Sequence, residues 1–288
     1  MSTLIDLRRK IRSVKNTQQV TKAMKTVATA KFRKAQRVIL EGRPHWHAAP
    51  AFVWEAARWA GPQAHPLLVD REERRLHVVV FTSDKGLCGA FNSNLLDRAQ
   101  EFVEEKACSA EVRLILVGKK AWQHFRRQPY PVDRVFMERT DTLGEEPLRE
   151  TARDLIRRFL FQETDAAYLA HNEFKSILSP RIILLRLLPV HPPEPAAFAH
   201  RPEVPDWEPG TSVLLESLLP RVIEDQVMHA YRESQAAEQA ARMMAMEGAS
   251  KNAEEIIHRY VLVLNKIRQA GITKELLEIM TAVEALKK

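Results

Sequence analysis

Residues 15–36, KNTQQVTKAMKTVATAKFRKAQ, contain no acid, and nothing in them breaks a helix. A helix buried in an ordinary core needs a greasier face than this mixture of Ala, Thr and Gln, and a solvated one usually mixes both signs. The chain is also short of glycine, with nine in 288 residues. Its charged residues, 28% of the total, are interspersed, so the composition is not that of a disordered chain. Two cysteines, Cys88 and Cys108, exclude a disulfide framework and offer no metal spacing. No apolar run approaches the roughly 20 residues of a membrane-spanning helix. The richest, 182–188 and 260–264, are of strand or core-helix size. No secretory signal precedes LIDLRRKIRSV, so a reducing cytoplasm is the expectation.

What is present is unevenly placed. Residues 1–40 hold eleven basic side chains (Arg8, Arg9, Lys10, Arg12, Lys15, Lys22, Lys25, Lys31, Arg33, Lys34, Arg37) against one acid, Asp6. That segment carries +10 of a chain total of +7, so the remainder sums to −3. Such concentration implies an acidic partner: nucleic acid, an anionic membrane surface or an acidic protein face. Nucleic acid lacks support from interleaved aromatics or a recognised module. A membrane surface would require a bulky apolar face opposite the charges. An acidic protein surface remains.

Stepping by three and four from Leu4 gives Leu7, Ile11, Val14, Gln18, Thr21, Lys25, Ala28, Phe32, Ala35 and Ile39. This is a heptad-like seam, apolar at both ends and polar in the middle, and it predicts a coiled-coil partner. Val20, Met24 and Val27 are expected to add apolar contacts on a neighbouring face. Pro44 and Pro50 threaten the helix, FVWEAARWA can resume it, and Gly61, Pro62 and Pro66 end the region.

The middle alternates. Strands are predicted at 76–83, 112–118, 165–174 and 181–190, and helices at 92–106 (capped by Ser93 or Asn94), 119–127 and 147–161, a mostly parallel α/β pattern. Six prolines (Pro192, Pro193, Pro195, Pro202, Pro205, Pro209) mark an extended connector. From Thr211 the pattern is helical to Leu286, on the order of 110 Å at 1.5 Å per residue. A helix that long needs a partner along its length, and the first helix running antiparallel is the natural one. The expected organisation is a coiled-coil helix at 1–60, an α/β domain at 75–195 and a long coiled-coil helix at 208–288. YVLVL (260–264) is apolar all round, which predicts that something encircles it.

SDKGLCGAFNSN (83–94) follows a strand and precedes a helix, as a phosphate-binding loop would. It matches neither G-x-x-x-x-G-K-[ST] nor G-x-G-x-x-G, and a structural turn is the favoured reading. Cys88 has no base nearby in sequence, with His77 and His124 distant, and the ten histidines show no ligand spacing. No catalytic, cofactor or metal site is assigned. The competing readings are a nucleic-acid-binding coiled coil and an α/β enzyme working at the glycine-rich turn.

Three blocks carry a family resemblance: IRSVKNTQQVTKAMKTVATAKFRKAQ near the start, SDKGLCGAFNSN in the middle, and AEQAARMMAMEGASKNAEEII with LNKIRQAGITKELLEI near the end. Together they resemble the gamma subunits of bacterial F-type ATP synthases; residues 119–210 match only weakly. The resemblance implies an antiparallel coiled coil of the terminal helices with an inserted Rossmann-like α/β domain. It implies a rotor inside a hexameric ring of alpha and beta subunits, standing on epsilon and the c-ring, peripheral to the cytoplasmic face of the inner membrane. Such a chain couples ion flow to ATP synthesis and hydrolysis without bond chemistry or cofactor. By position, Arg268, Gln269 and Thr273 match residues that meet the catch loops of beta. Lys22 and Met24 lie where the first helix meets beta's lower lobe. Trp207 and Glu208 fall near the foot. Gly271 stands where a small non-glycine residue is more usual, and the insertion that brings thiol control to chloroplast relatives is missing.

Overall fold

The computed structural model describes residues 4–61, 63–137, 144–176, 179–191 and 210–286. Two long terminal helices, α1 (Leu4–Ala60) and α5 (Thr211–Leu286), flank a five-stranded sheet with three helices of its own. The chain forms two compact units, Met1–Thr29 with Arg242–Lys288, and Ala30–Ala241.

The sheet unit is built from β1 (Arg75–Phe81), α2 (Phe91–Ala107), β2 (Glu111–Val117), α3 (Lys119–Phe125), β3 (Val132–Phe136), α4 (Glu145–Leu160), β4 (Ala166–Ser176) and β5 (Ser179–Leu188). The strand order is β3-β2-β1-β4-β5; β5 alone runs antiparallel, on β4. From Val78 in β1 and Leu114 in β2 the central strands read as continuous apolar runs because both faces are covered there. Leu76, Val78, Val80, Leu114 and Leu116 pack beneath Leu95, Ala99, Val103 and Phe125 of α2 and α3. Val79, Phe81, Ile115, Val117 and Leu169 point the other way, onto Leu148, Leu155 and Phe159 of α4 and Leu219, Ile223 and Val227 of α5. An ion ladder flanks the second layer: Arg153 reaches Glu224 at 2.9 Å, Arg149 reaches Asp225 at 3.4 Å, and Arg232 pairs with Glu145.

Several expectations change in detail. α1 does not yield at Pro44 or Pro50. Each proline removes one helical hydrogen bond, but Val53, Ala56 and Ala57 in the following turns are buried in the sheet unit's core, which fixes the helix beyond them. The chain leaves α1 at Gly61, whose φ of +87° a glycine adopts freely. The helix at 92–106 begins a residue earlier, at Phe91, and neither Ser93 nor Asn94 caps it: the position before it is Ala90, which makes no side-chain cap bond, and the Ser93 hydroxyl turns back to the Ala90 carbonyl at 3.2 Å. β3 is an additional strand.

In the other unit, the positions of the α1 seam are the shielded ones. Leu7, Thr21 and Ala28 are buried, Leu4, Ile11, Val14, Gln18 and Lys25 are half-buried, and the residues between are mostly exposed. On α5, Met246, Ser250 and Ala253 are buried and Ile257, Tyr260 and Leu264 half-buried, again at steps of three and four. The Thr21 and Ser250 hydroxyls are 2.7 Å apart, and Lys25 Nζ lies 3.3 Å from Glu247. Rising along α1 means descending along α5, so the pair is antiparallel.

Candidate functional site

The register of that pair decides what the helices leave uncovered. With Thr21 opposite Ser250 and Lys25 opposite Glu247, Leu4 falls opposite about Ile267. Beyond that point, among the described residues, α5 has no α1 residue to pair with. Arg268, Gln269 and Thr273 all lie past it and are exposed; the Thr273 hydroxyl donates to the Gln269 carbonyl at 3.0 Å, within the helix. The same stretch exposes Ile272, Leu276, Leu277, Ile279, Met280 and Val283. YVLVL divides: Tyr260 and Leu264 turn toward the seam, whereas Val261, Leu262 and Val263 face outward, Leu262 with 57% of its surface open. So much contiguous apolar surface marks a protein contact.

The basic helix behaves as a second surface. Lys22 is exposed, with no ion pair among the described residues, and Met24 is half-buried. Lys25 is instead engaged within the chain by Glu247, which Lys251 also approaches at 3.4 Å. Both lysines hold the Glu247 carboxyl below its ordinary range, with Lys25 the larger influence. Val20 and Val27 do not pack as expected: each is 57% exposed. They sit seven residues apart and, with Ala23 between them, form a stripe of small apolar side chains beside Lys22 that faces away from α5.

The glycine-rich turn is a structural device. Ser83 N–H donates to Asn92 Oδ1 at 3.1 Å, and Asn92 Nδ2 donates to Ser83 Oγ at 2.8 Å and to the Cys88 sulfur at 3.1 Å. Cys88 is 2% exposed and packs with Phe91 among Phe32, Ile39, Phe174, Ala236 and Ala240. Leu87, with φ of +63°, stands out from the turn 63% exposed. In a doubly wound sheet a ligand would lie outside the carboxyl ends of β1 and β4, where the strand order reverses. Here α5 supplies the groups at that edge: Ser234 donates to the Phe81 carbonyl, 3.4 Å, and Glu233 accepts the Phe174 N–H, 2.5 Å.

One constellation invisible in the sequence is a chain from Thr164 Oγ1 to His77 Nδ1, 2.8 Å, and from His77 Nε2 to Asp133 Oδ2, 3.1 Å. It has the connectivity of a nucleophile–base–acid set. Thr164 is 0% exposed, however, and Asp133 is also held by Arg158 at 2.9 Å and Arg113 at 3.3 Å. Burial lowers the His77 pKa, and although burial alone would raise that of Asp133, His77 and the two arginines outweigh it and hold the carboxyl low. This is an internal strut beneath the sheet, closed to any substrate. Among the described residues no three His, Cys, Asp or Glu side chains converge as a metal site would require.

Residues 3–286 match the protein family described as ATP synthase. The ATP synthase gamma chain of Pelotomaculum thermopropionicum is 40% identical, with 100% of both chains covered. The chain belongs to the ATP synthase gamma chain family. The gamma chain of Anaeromyxobacter dehalogenans (strain 2CP-C) is 44% identical over 99% of this chain and 100% of its own length. Among solved structures, a chain from the Euglena gracilis mitochondrial ATP synthase, OSCP/F1/c-ring in rotational state 3, superposes with a TM-score of 0.66. It is 21% identical, covering 99% of this chain and 96% of that one. A chain from the central stalk and c-ring of the Tetrahymena thermophila mitochondrial enzyme gives 0.62 at 24% identity, covering 80% and 99%. This chain and the two solved chains therefore share one fold.

Within that family frame, the candidate residues fall in two places. Lys22 and Met24 lie on the basic stretch of α1, and Arg268, Gln269 and Thr273 on the unpaired end of α5. Trp207 and Glu208 lie outside the described residues.

Proposed function

We propose that this chain is the turning central stalk of an F-type ATP synthase, coupling ion flow through the membrane sector to ATP synthesis and hydrolysis in the alpha and beta ring. It does no bond chemistry and binds no cofactor. Its work is to touch the three beta sites differently in each orientation and so shift their conformational populations. The observation that carries this reading is the unpaired end of α5, which exposes Ile272, Leu276, Leu277, Ile279, Met280 and Val283, most of them along one face, and so suits contact with a surrounding protein. Family membership supports it, as do the c-ring assemblies of the Euglena and Tetrahymena neighbours.

In this reading Arg268, Gln269 and Thr273 meet the catch loops of beta, Lys22 and Met24 meet its lower lobe, and Trp207 and Glu208 belong to the foot against epsilon and the c-ring. Functionally the chain divides into a first shaft helix (1–60), a domain (75–195) and a second shaft helix (208–288). The chain is peripheral, on the cytoplasmic face of the bacterial inner membrane. No described helix is long and apolar enough to cross a membrane.

The test is a reversible tether. Cys88 is too buried to serve, so the tether uses Leu87→Cys, at the exposed tip of the same turn, in a Cys108→Ser background, with a second cysteine on beta's lower lobe. Oxidation should stop multi-site ATP hydrolysis and reduction should restore it. Full turnover with the cross-link quantitatively formed overturns the rotor reading.

A further inference from the structure

We infer that Glu233 keys the angular setting of α5 on the sheet, occupying as a built-in ligand the crevice where this topology would otherwise bind one. The inference deepens the rotor reading and rests on it.

Phe174 lies on β4 four residues beyond Ala170, where the parallel β1–β4 ladder ends. Its N–H turns to α5 and is accepted by Glu233 at 2.5 Å. The next α5 residue, Ser234, reaches the carbonyl of Phe81, the last residue of β1. Consecutive helical side chains point about 100° apart, so one short stretch of α5 meets two fixed backbone groups from two directions. The Tyr231 ring adds a contact with Phe81 at 6.3 Å between centroids, and the Phe174 ring meets Phe32 of α1 at 5.2 Å. Glu233's other oxygen lies 3.3 Å from His229 Nε2, one turn away on α5, and among the described residues His171 of β4 also faces the cluster, within electrostatic reach of both.

Aliphatic packing alone is non-directional. Around Leu219, Ile223 and Val227 a slight turn of the helix changes little buried apolar area, and the long side chains of Arg149 and Arg153, paired with Asp225 and Glu224, can follow it. A helix whose Glu233 takes a buried N–H cannot turn without orphaning that donor. A turning moment applied to the sheet unit then passes into α5 instead of being lost as slip.

The test compares Glu233→Gln with Glu233→Leu in the complete complex. Gln keeps an oxygen for the Phe174 N–H; Leu fills the space and removes the acceptor. The readouts are ATP-driven proton pumping per ATP hydrolysed and the thermal midpoint. Glu233→Gln should keep the wild-type ratio, and Glu233→Leu should lower it several-fold at equal amounts of assembled complex. A Glu233→Leu complex that melts earlier but pumps at the wild-type ratio makes Glu233 a stability residue and overturns the key. If Glu233→Leu fails to assemble, hydrogen exchange at the Phe174 amide in the wild-type complex decides: slow exchange is expected, and exchange as fast as that of an exposed loop overturns the inference. The two readings fail separately. Hydrolysis that survives the Leu87 tether removes the rotor; a tether that stops turnover beside an unchanged ratio in Glu233→Leu removes only the key.

Discussion

The hydroxyls of Thr21 and Ser250 meet 2.7 Å apart across the seam of α1 and α5, both side chains buried. Thr21 Oγ1 also donates to the Gln18 carbonyl at 3.0 Å, which assigns Ser250 as the donor between the two hydroxyls. Removing one member orphans the other; removing both leaves a small apolar contact. Thr21→Val should therefore cost about 1 kcal/mol, and Thr21→Val with Ser250→Ala should return to within a few tenths of wild type. Urea unfolding of the full chain and its double-mutant cycle measure this. Additive losses would mean that the pair is not coupled.

Lys22 and Lys25 look alike in the sequence and have different tasks. Lys25 is engaged by Glu247, whereas Lys22 is exposed on the stripe bearing Val20 and Val27. Lys22→Glu should leave the thermal midpoint of the chain unchanged and lower ATP-driven pumping relative to hydrolysis. Lys25→Glu sets two like charges beside each other and should lower the midpoint itself; Glu247→Lys in the same chain should restore it. Equal effects of the two reversals on both readouts would contradict this division.

How far the sequence disclosed these surfaces follows from what each pattern depends on. The α1 seam was readable because burial in a two-helix pair repeats at three and four residues, and its positions, from Leu4 through Thr21 to Ile39, are the shielded ones. Val20 and Val27 misled because an apolar side chain does not say which partner covers it: a second copy of the seam and an external surface look identical in one dimension. β3, VDRVF, escaped because five residues with two charges make no apolar run, and as an edge strand it is only half-shielded. The antiparallel setting of β5 rests on a short connection from β4, which composition does not mark. The Glu233 contact joins α5 to Phe174 of β4, 59 residues away in the chain, a long-range property absent from any local pattern.

His171 is buried on β4, and its Nδ1 has no hydrogen-bond partner among the described residues. Burial first, and His229 second, lower its pKa to about 4 from an ordinary 6.5, against a smaller opposing pull from Glu233. The unfolded chain therefore binds a proton below pH 6.5 that the folded chain refuses. Stability falls as pH drops from 6.5 toward 4, by up to about 3 kcal/mol at the limit. His77, also lowered, acts in the same direction. The carboxyls of Asp133, Asp154 and Asp165 are held low as well, but their contribution is lost only at more acid pH. Urea midpoints at pH 7 and pH 5 should differ less in His171→Phe than in wild type. An unchanged difference would place the acid sensitivity elsewhere.

Two glycines should respond in opposite directions. Gly118 ends β2 with φ of +99°, and a Cβ built there would lie 2.3 Å from the Thr82 carbonyl oxygen. That carbonyl belongs to the backbone leaving β1, and the Thr82 side chain is tied to the Val117 carbonyl at 3.1 Å and the Ala121 N–H at 2.9 Å, so it has nowhere to move. Gly118→Ala should destabilise the chain by ~2 kcal/mol or more. Gly271 lies in the exposed, unpaired end of α5, where a Cβ meets nothing within 4 Å. There Gly271→Ala should strengthen the local helix by about 1 kcal/mol, seen as slower amide exchange around Gln269 and Thr273 with no change in the global midpoint. Within the complex the same methyl enters the segment proposed to meet the catch loops of beta. If that segment must bend as it passes each beta subunit, the stiffer helix should slow ATP hydrolysis while leaving assembly intact. Wild-type turnover in Gly271→Ala, with amide exchange slowed as expected, would show that the end of α5 works as a rigid rod.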